Sequence, residues 1–499
     1  MGNKVNILEA TINELHNAIE TGDLSATTIV AQYIERIRAF DQNGPKINSI
    51  ITLNKNAEKR GRWLDDQYAS SGFVGPLHGI PVLVKDQVST ADIITTYGSE
   101  AFASYVPNED ATIIRQLHDA GAIILAKTNL PDWAAGFVGY SSVNGQTKNP
   151  YALDRDPGGS SAGTAAGLAA NFGTVGIGED TGGSIRVPAS CCNLYGLRPT
   201  TGLVSRDGIS PLVIRQDTAG PMGRTVADVA RLFSVLTGFD PQDERTGAVR
   251  MVDSEKPYQE LLSEDALKSK RVGVLRDRFG DDTDPKAAAV NDVVSDALEH
   301  IVTAGAELVD PVNIPDLSAQ LRRSSLHELQ PKHDINMFLA GLDDPPAKSV
   351  AELYESGAYH SSLELFESIA NGPEDPTTDS HYWESVAAQE SLRETIRHVL
   401  ASHELDALIF PDVQVVPPKY AELHSGNTTR EDYPVNTVIS SQSACPSISI
   451  PAGLTEDRLP IGVELLAEPY SDARLLAMAY AFEQHAETRH RPEETPPLA

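Results

Sequence analysis

Cysteine is nearly absent from this chain: three residues in 499, Cys191, Cys192 and Cys445. Two are adjacent and no Cys-x-x-Cys occurs, so a disulfide framework is excluded and buried thiols in a reducing cytoplasm are expected. Basic residues are scarce as well. There are 40 Lys and Arg against 70 Asp and Glu, a net charge of −30. Nucleic acid and anionic membrane surfaces demand clustered cations, so neither is an expected partner. No stretch approaches the ~18 apolar residues of a membrane span, and the N-terminus lacks the apolar run of a secretory signal. Asn427 opens an Asn-Thr-Thr sequon, which carries no meaning without export. No His-Glu-x-x-His or comparable ligand spacing is present, so no metal and no cofactor is expected.

What is present suits a globular chain able to bury a sizeable core. Residues 8–40 read as two amphipathic helices, the first ended by Gly22 and the second capped by Ser25, and another helix is expected over about 54–68. The pattern then changes. Ile80 to Val84 is a short apolar run expected to be a buried strand. The helix that follows from Asp110 ends at Gly121 and leads into a strand at 122–126. The helix-then-strand unit recurs at 286–310 and 394–411. Such continuous apolar runs are the kind buried between helical layers, so 76–311 and 401–499 are expected to form one layered α/β core within a single domain. Residues 1–75 form an N-terminal helical region. Residues 312–400, polar and punctuated by proline, read as a helical insertion over one face of that core.

The most unusual stretch is 156–190, with nine glycines between Gly158 and Gly183, and no lysine or histidine. A phosphate loop needs Lys-Ser or Lys-Thr after its glycines, and none is there. A flexible linker does not fit the interleaved Leu168, Phe172, Val175 and Ile177, nor the alanine-rich helix expected over 161–170. Close backbone packing accounts for many glycines, but not for two serines, Ser160 and Ser184, each preceded by Gly-Gly. Acyl transfer does use such a pattern. Gly182 and Gly183 let main-chain N–H groups approach a substrate oxyanion, and Ser184 then stands where a nucleophile is needed.

A base must come from elsewhere. Lys85 ends the apolar run "GIPVLVK", an odd place for a cation. It either leaves the core to pair with Asp86 or stays buried and neutral, which requires a shift of about 3 pH units from ~10.4, within reach of desolvation.

Three motifs in order, "GPLHGIPVLVKD", "GGSSAG" and "GEDTGGSIRVPAS", with Ser160 and Ser184 separated by 24 positions, resemble the amidase signature family. "LAKTNLPDWA", "GLRPTTGLVSRDGI" and "SISIPAG" extend the resemblance over roughly 8–486. It implies a three-layer α/β/α fold whose central mixed β-sheet is covered by many helices. It implies a Ser–cis-Ser–Lys triad of Ser184, Ser160 and Lys85 with a cis Gly159–Ser160 bond, and an oxyanion hole from Thr181, Gly182 and Gly183. Ser161, Asp180 and Arg186 would support the loop, with Asp180 and Arg186 paired. His78 and the other histidines have no role in such a triad.

Within the family, "VSRDGISPLVIRQDTAGPM" looks most like the peptide-amidase and broad amidase branch. The competing reading is the glutaminase subunit of the tRNA-dependent transamidation complex, which usually carries glutamine where this chain has Val187. Carbamate or ester hydrolysis on the same triad is a further alternative, and an inactive scaffold a third. The expected partner is a small-molecule amide or peptide amide, acted on by a monomer or homodimer. Pocket walls are expected from 131–147, 207–218 and the insertion, but periodicity does not say which side chains face inward, and candidates such as Trp133, Phe137, Ile209, Ile214 and Phe338 are more often core than pocket.

Overall fold

The computed structural model describes residues 7–252, 256–424 and 433–498, so the sequon at Asn427 lies outside the described residues. Its strands are Ile50–Leu53 (β1), Pro81–Lys85 (β2), Ile123–Thr128 (β3), Tyr140–Ser141 (β4), Gly145–Gln146 (β5), Val175–Asp180 (β6), Tyr195–Arg198 (β7), Thr218–Gly223 (β8), Arg271–Val274 (β9), Glu307–Val309 (β10), Ala407–Pro411 (β11), Ser447–Leu454 (β12) and Pro460–Leu466 (β13). β4 and β5 pair with each other, and the other eleven form one sheet ordered β1-β3-β2-β6-β8-β7-β12-β13-β11-β9-β10. The sheet is mixed. β3, β2 and β6 run parallel, as do β11, β9 and β10, and antiparallel pairs join the two groups.

Every residue of β2, β3 and β6 is buried, which is why these strands read as continuous apolar runs and not as alternating ones. Helices Ala162–Ala169, Val226–Leu236, Pro285–Thr303 and Asp472–His485 pack on the sheet, giving the three-layer α/β/α arrangement. The N-terminal region holds the expected helices at Ile12–Glu20, Ala26–Arg36 and Ala57–Ser71, with Ser25 accepting the N–H of Thr28 as a cap. It also supplies β1, an edge strand too short to stand out between helical stretches.

Between Leu317 and Ser402 the chain is helical, with its own apolar cluster. Leu326, Ile335, Leu339 and Phe366 pack there against Tyr97, Phe102 and Trp133 from the sheet side. Trp133 is thus core and not pocket lining: it is fully buried and stacks on Tyr97 with ring centroids 5.2 Å apart. Among the described residues, no helix is long and apolar enough to cross a membrane.

Candidate active site

The parallel strands β2 and β6 are neighbours, with Val84 level with Ile177, so both strands deliver their last residues to one end of the sheet. That end is where open α/β sheets gather functional side chains. Lys85 finishes β2, and Glu179 and Asp180 finish β6. Ser160 and Ser161 precede the helix Ala162–Ala169, and Ser184 precedes the short helix Arg186–Cys191. The Ser161 N–H donates to the carbonyl of Ser184 over 3.1 Å, holding the two serine-bearing loops side by side.

Lys85 is fully buried and does not turn out to pair with Asp86, which instead meets Lys127 at 3.0 Å. The Lys85 amine lies 2.8 Å from Ser160 Oγ, 3.0 Å from the Glu179 carbonyl and 3.4 Å from Glu179 Oε2. Burial pushes its pKa down, against the pull of the Glu179 carboxyl. The Gly159–Ser160 bond is cis. Among the described residues no hydrogen bond joins the Ser184 hydroxyl to Ser160, so the contact present in the structure is the one between Lys85 and Ser160.

The loop that carries Ser184 is held by its carbonyls. Gln216 Nε2 donates to Thr181 O at 2.9 Å, Thr437 Oγ1 to Gly182 O at 2.8 Å, and the Val187 N–H to Gly183 O at 2.8 Å. The N–H groups of Gly182 and Gly183 take no partner among the described residues. A side chain at Gly182 would press on His327 and Phe137, and one at Gly183, where φ is +138°, would overlap Thr437. Thr181 itself donates its hydroxyl to Asp217 over 2.6 Å.

Behind the loop sits a buried charge cluster. Asp180 pairs with Arg186 and with Arg198, each at 2.8 Å, and Arg186 also reaches Glu464 of β13 at 2.8 Å. Despite its burial, the two guanidinium groups hold Asp180 well below the usual carboxylate range. The Asp180–Arg186 pair was readable in the sequence; Arg198, Glu464 and Glu179 were not. Glu179 did leave a signal, a carboxylate closing one buried strand where a lysine closes another. Ser161 Oγ lies 3.3 Å from both the N–H and the carbonyl of Glu179, bracing the end of β6.

A cavity of about 840 Å³ opens over this loop, lined by Thr181, Gly182 and Ser184. Its walls come from Phe137, Val138 and Tyr140, from Leu212, and from His327 and Leu363 of the helical segment. Phe137 therefore lines the cavity. Ile209, Ile214 and Phe338 line a separate one. Carboxylates of Asp156, Glu328 and Glu364 border the main cavity, and among its described lining residues there is no Lys or Arg. No cluster of three or more metal-ligating side chains occurs among the described residues.

The Amidase family model matches residues 28–476. The chain belongs to the amidase family. This amidase is 32% identical over 486 residues to a component of the glutamyl-tRNA(Gln) amidotransferase of Carboxydothermus hydrogenoformans, covering 95% of this chain and 96% of that one. Its fold matches the crystal structure of a peptide amidase from Stenotrophomonas maltophilia with a TM-score of 0.88 and 33% identity, over 98% of this chain and 99% of the other. An amidase family protein from Bacillus anthracis matches at 0.84 and 30%, over 98% and 93%.

Proposed function

We propose that this amidase cleaves the C–N bond of a carboxamide through an acyl intermediate on Ser184, with Ser160 and Lys85 as the proton relay. The observation that carries this reading is a fully buried amine 2.8 Å from Ser160 Oγ, on a loop whose neighbour brings Ser184 to the lining of the cavity. Ser184 Oγ adds to the amide carbon as its proton passes to Ser160, whose own proton passes to the Lys85 amine. The carbonyl oxygen takes up negative charge beside the unpartnered N–H groups of Gly182 and Gly183. The C–N bond then breaks as the relay returns the proton to the leaving nitrogen. Water adds to the acyl carbon by the same route, releasing the carboxylate and restoring the Ser184 hydroxyl. The hydrogen bond from Ser184 to Ser160 is the one that forms when substrate docks.

The cavity favours a neutral or cationic acyl group of peptide size, such as a peptide amide, taken by a free-standing monomer or homodimer. Its carboxylate border suits a free α-carboxylate poorly, which weighs against free glutamine. The amidotransferase relatives favour the second reading, a glutaminase subunit. Ester or carbamate hydrolysis remains within the same chemistry. One experiment separates these: the purified chain is given a panel of peptide amides, simple amides and glutamine, with mass-spectrometric detection of an adduct on Ser184. We expect turnover of peptide amides by the chain alone. Lys85→Ala and Ser184→Ala each lose at least about 10³-fold in kcat/KM while the chain remains folded by circular dichroism. Activity only on glutamine, and only with co-purifying partner chains, would establish the second reading instead.

A further inference from the structure

Glu179 takes no part in the relay described above, yet its carboxylate is the charged group nearest the Lys85 amine, at 3.4 Å. Both side chains are buried, Lys85 at 0% and Glu179 at 1% exposure. The residue touches the amine twice, since its backbone carbonyl also accepts from Lys85 at 3.0 Å. Glu179 also lines a second cavity of about 450 Å³, together with Asp217, Arg206, Asp334 and Phe338, which is distinct from the one that Ser184 lines.

We propose that Glu179 is a positioning residue for amide hydrolysis: its carboxylate holds the Lys85 amine against Ser160 and sets the pH above which that amine can accept a proton. The inference rests on the reading of Lys85 as proton acceptor. A carboxylate beside an ammonium favours the charged form, so it offsets part of the burial that drives Lys85 toward neutrality. Burial and the Asp217 carboxyl push Glu179 upward in turn.

The charged surroundings are few. Lys85 faces Glu179 from β2, and Asp217 faces it from the loop before β8. Asp180 follows on β6 but is engaged by Arg186 and Arg198. Arg206 lines the second cavity and is paired with Asp243; His333 and Asp334 reach that cavity from the helical segment. Asp86, next to Lys85, is held by Lys127.

The test is the pH profile of kcat/KM on whichever amide the wild-type chain turns over. In Glu179→Gln the acidic limb should move to lower pH by about one to three units, the effect of losing an opposite charge within a few ångströms. Activity above the limb should stay within about tenfold of wild type. Glu179→Asp, which keeps the charge but withdraws it by a methylene, should move the limb the same way and less far. It serves as the probe if the glutamine variant does not fold. A limb that stays in place or rises overturns the proposal. So does a folded variant inactive at every pH, because above the limb the amine is neutral without help. If Lys85→Ala is itself active, the relay reading falls; if it is inactive and the limb does not move, only the role of Glu179 falls.

Discussion

Arg186 is a fully buried guanidinium between two carboxylates, Asp180 at 2.8 Å and Glu464 at 2.8 Å, and it also donates to the carbonyl of Thr437. Removing it leaves the buried Glu464 without a cation and Asp180 with Arg198 alone. Arg186→Met should therefore lower the unfolding free energy by about 3–5 kcal/mol. Arg186→Lys should not rescue it, since one ammonium cannot present the fork that spans both acids. Equilibrium denaturation of the three proteins checks this, and a loss under about 1 kcal/mol in the methionine variant would show that the cluster relaxes without it. The same cluster shows which residues a sequence can reveal. Asp180 and Arg186 lie within one motif, so their pairing was open to inspection. Glu464 meets Arg186 across 278 positions, and no local pattern announces that contact. Lys85, Ser160 and Ser184 were legible because each is chemically out of place: a cation ending an apolar strand, and two alcohols behind paired glycines. His327 and Leu363 were not, because they sit in the connections between short helices, where no periodic pattern marks which side chains face a cavity.

At the scale of elements, the helix Ala162–Ala169 matters most, since it begins two residues after Ser160. It sits so close to its neighbours that a Cβ at Gly163 would run into the Asn129 N–H and the Ser49 carbonyl, both main chain and unable to yield. Gly163→Ala should cost about 1–3 kcal/mol of stability and displace Ser160, lowering kcat/KM along with it. Gly247→Ala, where nothing lies within 4 Å of the added Cβ, is the control and should be neutral or slightly stabilising. Equal stability of the two variants would mean that the helix can slide. The helix itself was expected from its alanines, and β2, β3 and β11 from their apolar runs. β1 and β8 were harder. β8 reads "TAGPMG" and owes its place to neighbours, with Gly220 lying against the Leu197 carbonyl. A strand held by close approach and not by β-branched side chains leaves little pattern to find.

For the molecule as a whole, charge and burial combine into one pH dependence. Burial pushes Asp41, Asp156, Asp228 and Asp472 up to about 6, and Asp132, Asp334 and Glu483 up to about 7. In the unfolded chain these groups titrate near 4. Between about pH 4 and 7 the folded form therefore binds more protons than the unfolded one, and its stability falls as pH rises through that window. The net charge of −30 acts in the same direction, since self-repulsion grows with each carboxylate that ionises. His16 opposes the trend: burial holds it down to about 4, so its contribution is lost as pH falls below 6.5. Asp180 and Asp243, held low by arginines, keep theirs until about pH 4. Seven raised carboxylates outweigh these terms above the isoelectric region near 4.7. The melting temperature should accordingly be higher at about pH 5.5 than at about pH 8, by roughly 2 °C or more. Calorimetry at fixed ionic strength decides it, and added salt should narrow the gap by screening the repulsion while leaving the buried groups' share intact. A melting temperature that drops on acidification to pH 5.5 would mean that these carboxyls are already ionised inside the fold.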